Sequence, residues 1–321
     1  MSAMASSTST VNLDRLDALA AERGIGLALD APMAPLTTLR VGGPADRLTA
    51  VASPEELLAA LRLARDAGSP AFVLGNGSDL VVADAGIRGL VIRNRARAVT
   101  IDGLRVRADS GTPMALLVRR CTADGLAGVE FGTSIPGTLG GAVWADAGAH
   151  GGEMREVIST VEAWDAVADQ VRSLDAEACA FDYRESRFKH SGEVVLSAIL
   201  ALRRDDQAAI AARVAANQAQ RVATQPLADQ NAGSVFRNPP GDHAGRLVDA
   251  AGLKGLRVGG ASVSERHANF IVTDRGASAA DVRGLGDRVR AEVLARFGVE
   301  LAYEIEFVGD WPPGEPGESA R

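Results

Sequence analysis

An α+β fold in two domains is what this sequence predicts, on three observations. Strand-like apolar runs and amphipathic helical stretches are interspersed without the regular strand–helix–strand alternation of a doubly wound parallel sheet. The 321 residues, at about 150 per domain, make room for two domains. Hydrophobic residues at 46% and charged residues at 23% suit a globular chain, so a core can form without disulfide or metal staples.

Residues 1–34 read as a flexible start and one short helix, Asn12 to Arg23, stopped by Gly24 and Gly26. The first domain is expected over 35–205. Leu48 to Ala52 reads as a strand. Ser53-Pro54-Glu55-Glu56 starts a helix: serine as N-cap, proline at the first helical position, acids in the first turn. It runs to Ala67, and Gly68 ends it. Ala71 to Leu74 is a buried strand that leads into Gly75-Asn76-Gly77-Ser78-Asp79. Leu90–Arg93, Ala98–Ile101 and Leu104–Ala108 are further strands, the last two joined by an Asp102-Gly103 hairpin turn. Pro113–Ala123 is helical, and 128–152 is glycine-rich. Val157–Ala168 and Val171–Leu174 read as a strand pair, and Val194–Arg203 as a buried strand. The alanine-rich helix Gln207 to Arg221 connects to a second domain over 206–309. That domain has helices near 244–251 and 278–296 and strands near 257–263, 268–273 and 303–308. The Pro/Gly/Glu-rich stretch 310–321 is expected to be a disordered tail.

Charge and composition narrow the function. The balance of 34 basic and 41 acidic residues gives −7, which argues against a nucleic-acid or anionic-membrane partner. Lys189 and Lys254 are the two lysines, so arginine forks suited to bidentate anion recognition make up the basic set. Aromatics at 4% disfavour a base-stacking platform. Cys121 and Cys179 stand far apart in apolar surroundings and read as inert thiols; no spacing reads as a metal site, and none is expected. The N-terminus lacks the basic and apolar regions of a signal peptide. The strongly apolar run Val194–Leu202 is too short to span a bilayer, so a cytoplasmic protein is expected.

Six stretches carry residue types that demand chemistry. The Gly75–Asp79 loop can be a simple turn or a backbone cradle for phosphate. The stretch GVEFGTSIPGTLGGAVWADAGAHGGE, from Gly128 to Glu153, can be a tight corner or the wrapping of an extended cofactor. Phe181 to Lys189 (FDYRESRFK) crowds cations and a tyrosine between apolar segments. Asn231 to Pro239 (NAGSVFRNP) presents Ser234 without the GxSxG setting of a hydrolase. His267, in GGASVSERHANF, has no partner spacing and reads as structural. In YEIEF, a strand would put Glu304 and Glu306 on one face and Tyr303, Ile305 and Phe307 on the other.

In order and spacing, TTLRVGGPAD, GNGSD, GVEFGTSIPGTLGGAV, DYRESRFK, NAGSVFRNP, AGLKG, GGASVSERHANFIV and YEIEF resemble the UDP-N-acetylenolpyruvoylglucosamine reductase (MurB) family, over Leu36 to Gly309. The short span between Lys189 and Asn231 resembles its form without an extra tyrosine loop. The resemblance implies a PCMH-type (vanillyl-alcohol-oxidase-like) FAD domain and a smaller α+β substrate domain. It also implies FAD as cofactor, NADPH as co-substrate and a UDP-sugar substrate; a monomer is expected. Carried onto this sequence, Arg40, Gly75, Asn76, Gly77, Ser78 and Asp79 would bind the FAD pyrophosphate side. Ile135, Pro136, Gly137, Gly140 and Gly141 would pack along the flavin. Arg184, Ser234 and Glu304 match the catalytic arginine, the proton-donating serine and the catalytic glutamate. Tyr183, Arg237, Asn238 and Lys254 would bind substrate. His267 and Glu306 are expected to be structural.

The implied chemistry explains these types. Hydride addition to the enolpyruvyl methylene makes an enolate-like species. A guanidinium fork at the carboxylate stabilises it, and a hydroxyl proton completes the reduction. Glu304 would have to be protonated or work through a water or a neighbouring cation. The sequence departs from the family pattern at Asp79, where asparagine is frequent, at Asp146, where asparagine is usual, and at Tyr303, where proline commonly precedes the glutamate. Two alternatives stand beside this reading: another PCMH-type flavoprotein oxidoreductase, and a non-catalytic FAD- or nucleotide-sugar-binding protein.

Overall fold

The computed structural model describes residues 12–312. The α+β class is as the sequence predicts: mixed and antiparallel sheets flanked by helices. Leu13–Glu22 and Pro54–Ala67 are helices. The second has the N-cap read from sequence, with Ser53 accepting from the Glu56 N–H, and Gly68 closes it at φ +67°. Both helices pack on a four-stranded sheet in the order Ala28–Pro32, Pro44–Val51, Ile87–Asn94, Ala71–Leu74, whose last three strands are parallel. Ala28–Pro32 was not read from sequence. Ala31 is its one buried residue, so it shows no alternation.

A five-stranded antiparallel sheet follows, ordered Gln170–Asp175, Ile158–Asp165, Val194–Ala201, Arg105–Asp109, Val99–Asp102. Helices Met114–Ala123 and Leu139–Trp144 cover it, and Val106, Leu117, Leu139, Val161 and Leu200 are fully buried between them. Helix Gln207–Thr224 then lies against the 3-10 turn Glu130–Ser134: Arg213 bonds Glu130 and Gln218 bonds Thr133.

The C-terminal part centres on helix Ala279–Phe297. The helix starts at a Ser278/Asp281 capping box and packs on the strands Arg257–Val258, Ala261–Val263 and Ile271–Thr273. Its core also takes in Leu39, Val41 and Val81 from the N-terminal half. A parallel pair, Leu80–Val82 with Glu306–Val308, stitches the two halves together. Trp311 packs edge-on against Phe307 and lies under the Arg283 guanidinium, so the ordered chain continues past 309; residues 313–321 of the expected tail lie outside the described residues. Among the described residues no helix is long and apolar enough to cross a membrane.

Candidate active site

The two halves and the connecting helix enclose a cleft of about 1370 Å³. That exceeds the roughly 300–1,000 Å³ typical of a site for one drug-sized ligand, so there is room for two sizeable ligands or one very extended one.

One wall is made of two glycine loops. Strand Ala71–Leu74 ends in Gly75, and residues 75–79 all line the cleft. Gly77 sits at φ +63°, and a Cβ there would stand 2.2 Å from the Leu36 carbonyl oxygen. A Cβ on Gly75 would stand 2.6 Å from Thr138 Oγ1. The second loop is tied to the first by Asn76 Nδ2, which donates to the Pro136 carbonyl at 2.8 Å. Ile135, Pro136, Gly137, Gly140 and Gly141 line the same cleft. Gly140 is pinned at 2.7 Å to the Ser110 carbonyl, where a Cβ would stand 2.9 Å from that residue's own Cβ. The wall is therefore backbone and small hydroxyl groups, closely packed from behind, as a backbone cradle for phosphate requires.

Nearby, Arg221 of helix Gln207–Thr224 reaches the cleft. Its Nε donates to a neutral partner, Gln225 Oε1 at 3.0 Å, and burial pushes its pKa down. Arg266 likewise donates to the carbonyls of Val222 and Ala223. Such arginines suit an anionic nucleotide, and together with the glycine wall they fit an FAD-type cofactor. Across the same helix, Ser134 Oγ lies 2.7 Å from His150 Nε2, and His150 Nδ1 lies 3.2 Å from Gln220 Oε1. The three side chains form a chain that ties the second glycine loop to the connecting helix.

The other wall is charged. Arg184 occupies the tight turn Asp182–Glu185 at φ +57°. Its Nε pairs with Glu304 Oε1 at 2.7 Å, and its Nη atoms donate to the carbonyls of Asp146 and Gly148 at 3.3 and 3.1 Å. Burial pulls the Arg184 pKa down, but Glu304 more than offsets this and the net shift is upward. Beside it, Lys189 Nζ pairs with Glu306 at 3.3 Å and lies 4.2 Å from the centre of the Trp144 ring. Ser234 enters from a loop set by Asn269. The Val235 N–H donates to the Asn269 carbonyl at 2.8 Å, and the Asn269 side chain both accepts from and donates to the Phe236 backbone. The Val235 carbonyl in turn accepts from the Glu304 N–H at 2.8 Å, which makes Ser234 and Glu304 structural neighbours.

The alternation read in YEIEF holds: Glu304 and Glu306 line the cleft, while Tyr303, Ile305 and Phe307 belong to the C-terminal core. Regular strand geometry begins only at Glu306, because Tyr303 makes an isolated bridge to Phe236 instead. The other singled-out residues lie as follows. Arg40 is turned onto the Pro35 carbonyl at 2.5 Å and does not line the cleft. Nor does Arg237, held by Glu185 at 2.7 Å, or Lys254, held by Asp249 at 2.9 Å. Tyr183 stays outside with its ring over the Arg184 guanidinium, whereas Asn238 does line the cleft. Glu306 and His267, expected to be structural, both face it. Of the departures, Asp146 is fully buried: its Oδ1 accepts from the Arg155 N–H at 2.9 Å, the Arg155 guanidinium lies 3.4 Å from its Oδ2, and burial pushes its pKa up. Tyr303 stacks on Phe236 and donates to Asp287 at 2.8 Å. Among the described residues no His/Cys/Asp/Glu group could hold a metal.

Fold and cleft together define an FAD-binding protein with a further C-terminal half. The family model for an FAD binding domain matches residues 45–173. A second, for the C-terminal domain of UDP-N-acetylenolpyruvoylglucosamine reductase, matches 225–308. The chain belongs to the UDP-N-acetylenolpyruvoylglucosamine reductase family. It is 45% identical to reductase 2 of Symbiobacterium thermophilum over 284 residues, covering 88% of this chain and 92% of that one. It is also 45% identical to the reductase of Moorella thermoacetica, covering 92% and 99% respectively. The crystal structure of the Thermus caldophilus enzyme superposes with a TM-score of 0.75 at 37% identity, covering 90% of this chain and 99% of that one.

Proposed function

We propose that the protein reduces UDP-N-acetyl-3-O-(1-carboxyvinyl)-glucosamine to UDP-N-acetylmuramate, with FAD as cofactor and NADPH as reductant, in peptidoglycan precursor synthesis. The observation that carries this reading is the convergence of Arg184, Ser234 and Glu304, from three separate stretches, on one wall of a cleft whose other wall is a glycine cradle. Bound FAD supplies the hydride that reaches the enolpyruvyl methylene. Arg184 faces the substrate carboxylate and stabilises the negative charge that grows there. Glu304 does not oppose that charge freely, because its carboxylate is already joined to the Arg184 guanidinium; it aims the fork. Ser234, held one residue from the carbonyl that positions Glu304, delivers its hydroxyl proton to the enolate carbon. Arg221 and Arg266 take nucleotide phosphate, and Asn238 takes substrate.

Residues 35–205 carry the cofactor and residues 206–309 bring the substrate, with the connecting helix seated on the first of these. The net charge of −7 argues against a nucleic-acid partner, and the protein acts as a cytoplasmic monomer on this reading. The test is Ser234→Ala. NADPH should still bleach the flavin, while reoxidation by substrate slows about 10²–10⁴-fold. Equal loss of both half-reactions would remove Ser234 from the proton step.

A further inference from the structure

The cleft holds three carboxyl side chains at one place and two cations to match them. Glu304 belongs to Arg184 at 2.7 Å, and Glu306 to Lys189 at 3.3 Å. Asp79 is the third. It ends the glycine loop, and its carbonyl accepts from the Glu306 N–H at 2.9 Å, so the two acidic residues are joined through the backbone. Among the described residues its own carboxyl has no hydrogen bond or ion pair, and it lines the cleft. Glu193, also on the lining, is matched by Arg187 at 2.8 Å.

We propose that Asp79 enters the cleft as a neutral carboxylic acid and donates a hydrogen bond to an acceptor oxygen of the bound flavin nucleotide, much as an asparagine amide would. A third carboxylate in the same part of the cleft as two others, with both neighbouring cations taken, is costly. Taking up a proton removes that cost and turns an acceptor-only group into a donor. Burial above all, then the charges of Glu304 and Glu306, hold the Asp79 carboxyl well above the usual carboxylate range; Lys189 and Arg184 pull it back only in part. The proposal rests on the cleft being the FAD site.

The sign of the consequence follows. The protonated form binds the cofactor, so affinity is full at low pH and falls as pH rises through the Asp79 pKa. The expected slope is about tenfold per pH unit, one proton per cofactor. FAD affinity is measured by flavin fluorescence from mildly acidic to alkaline buffer, on wild type and Asp79→Asn. The wild type should weaken with that slope and the variant should stay flat. Binding in both with parallel pH profiles overturns the proposal and leaves the FAD site standing. Binding in neither overturns both. Should Asp79→Asn not fold, carboxyl ¹³C NMR of aspartate-labelled wild type decides. An aspartate titrating far above the rest and shifting on FAD addition supports the proposal, and no such signal rejects it.

Discussion

The glycine loops at 75–79 and 135–141 contribute one ionisable side chain to the cleft, Asp79, whereas the stretches around Arg184, Lys189, Glu304 and Glu306 contribute two ion pairs. The first wall is shaped by what is missing, since side chains at Gly75, Gly77 and Gly140 would collide with Thr138, Leu36 and Ser110. The second is shaped by long-range pairing: Arg184 and Glu304 are 120 positions apart, Lys189 and Glu306 are 117. Steric shape holds a cofactor that stays bound, and paired charge meets a substrate whose charge changes during reaction. Substitutions in the two walls should therefore fail differently.

After Ser234→Ala, Arg184→Met should have the largest effect. It removes the carboxylate fork and strands Glu304, so reoxidation of the flavin by substrate should slow about 10²–10³-fold, with NADPH-driven bleaching retained. Loss of bound FAD in this variant would break the distinction between the walls. Asn269→Ala comes next. It orphans the N–H and carbonyl of Phe236, both hydrogen-bonded to the Asn269 side chain, and should cost about 2–4 kcal/mol of stability in urea. Because Asn269 positions the Ser234 loop, kcat should also fall with KM little changed. Gly77→Ala puts a Cβ at φ +63° against a backbone oxygen, costing about 1–3 kcal/mol. The loss should appear as FAD affinity tenfold to a hundredfold weaker, with the C-terminal core intact. The smallest effect lies outside both walls. Burial raises the Cys121 and Cys179 thiols to about 12 and about 11, so neither should react with a disulfide reagent in mildly alkaline buffer until the protein unfolds.

What was legible in the sequence was local. Ser53, Pro54 and Gly68 mark the ends of one helix because capping acts within a turn, and the alternation of Glu304 and Glu306 against Tyr303, Ile305 and Phe307 gives the facing of each. The motif order carried Arg184, Ser234 and Glu304 to one place. What was not legible depends on distant partners. Leu80–Val82 is a three-residue strand whose mate is at Glu306–Val308, and nothing in three residues announces that pairing. Arg221 hides in an alanine-rich helix and becomes a cleft residue only because that helix lies against Glu130–Ser134. Arg40, Arg237 and Lys254 looked available for phosphate, yet Pro35, Glu185 and Asp249 hold them elsewhere. A cation's nearest anion is a tertiary fact.

On the proposed function, one wall of the cleft holds FAD and the other completes reduction of an enolpyruvyl sugar. The most direct test is an anaerobic titration of the holoprotein followed by its visible spectrum. NADPH should bleach the flavin, and UDP-N-acetylenolpyruvoylglucosamine should restore the oxidised spectrum at once. A flavin that bleaches but is not reoxidised by this substrate would contradict the role given to Arg184, Ser234 and Glu304. A protein that takes up no FAD would contradict the glycine wall itself.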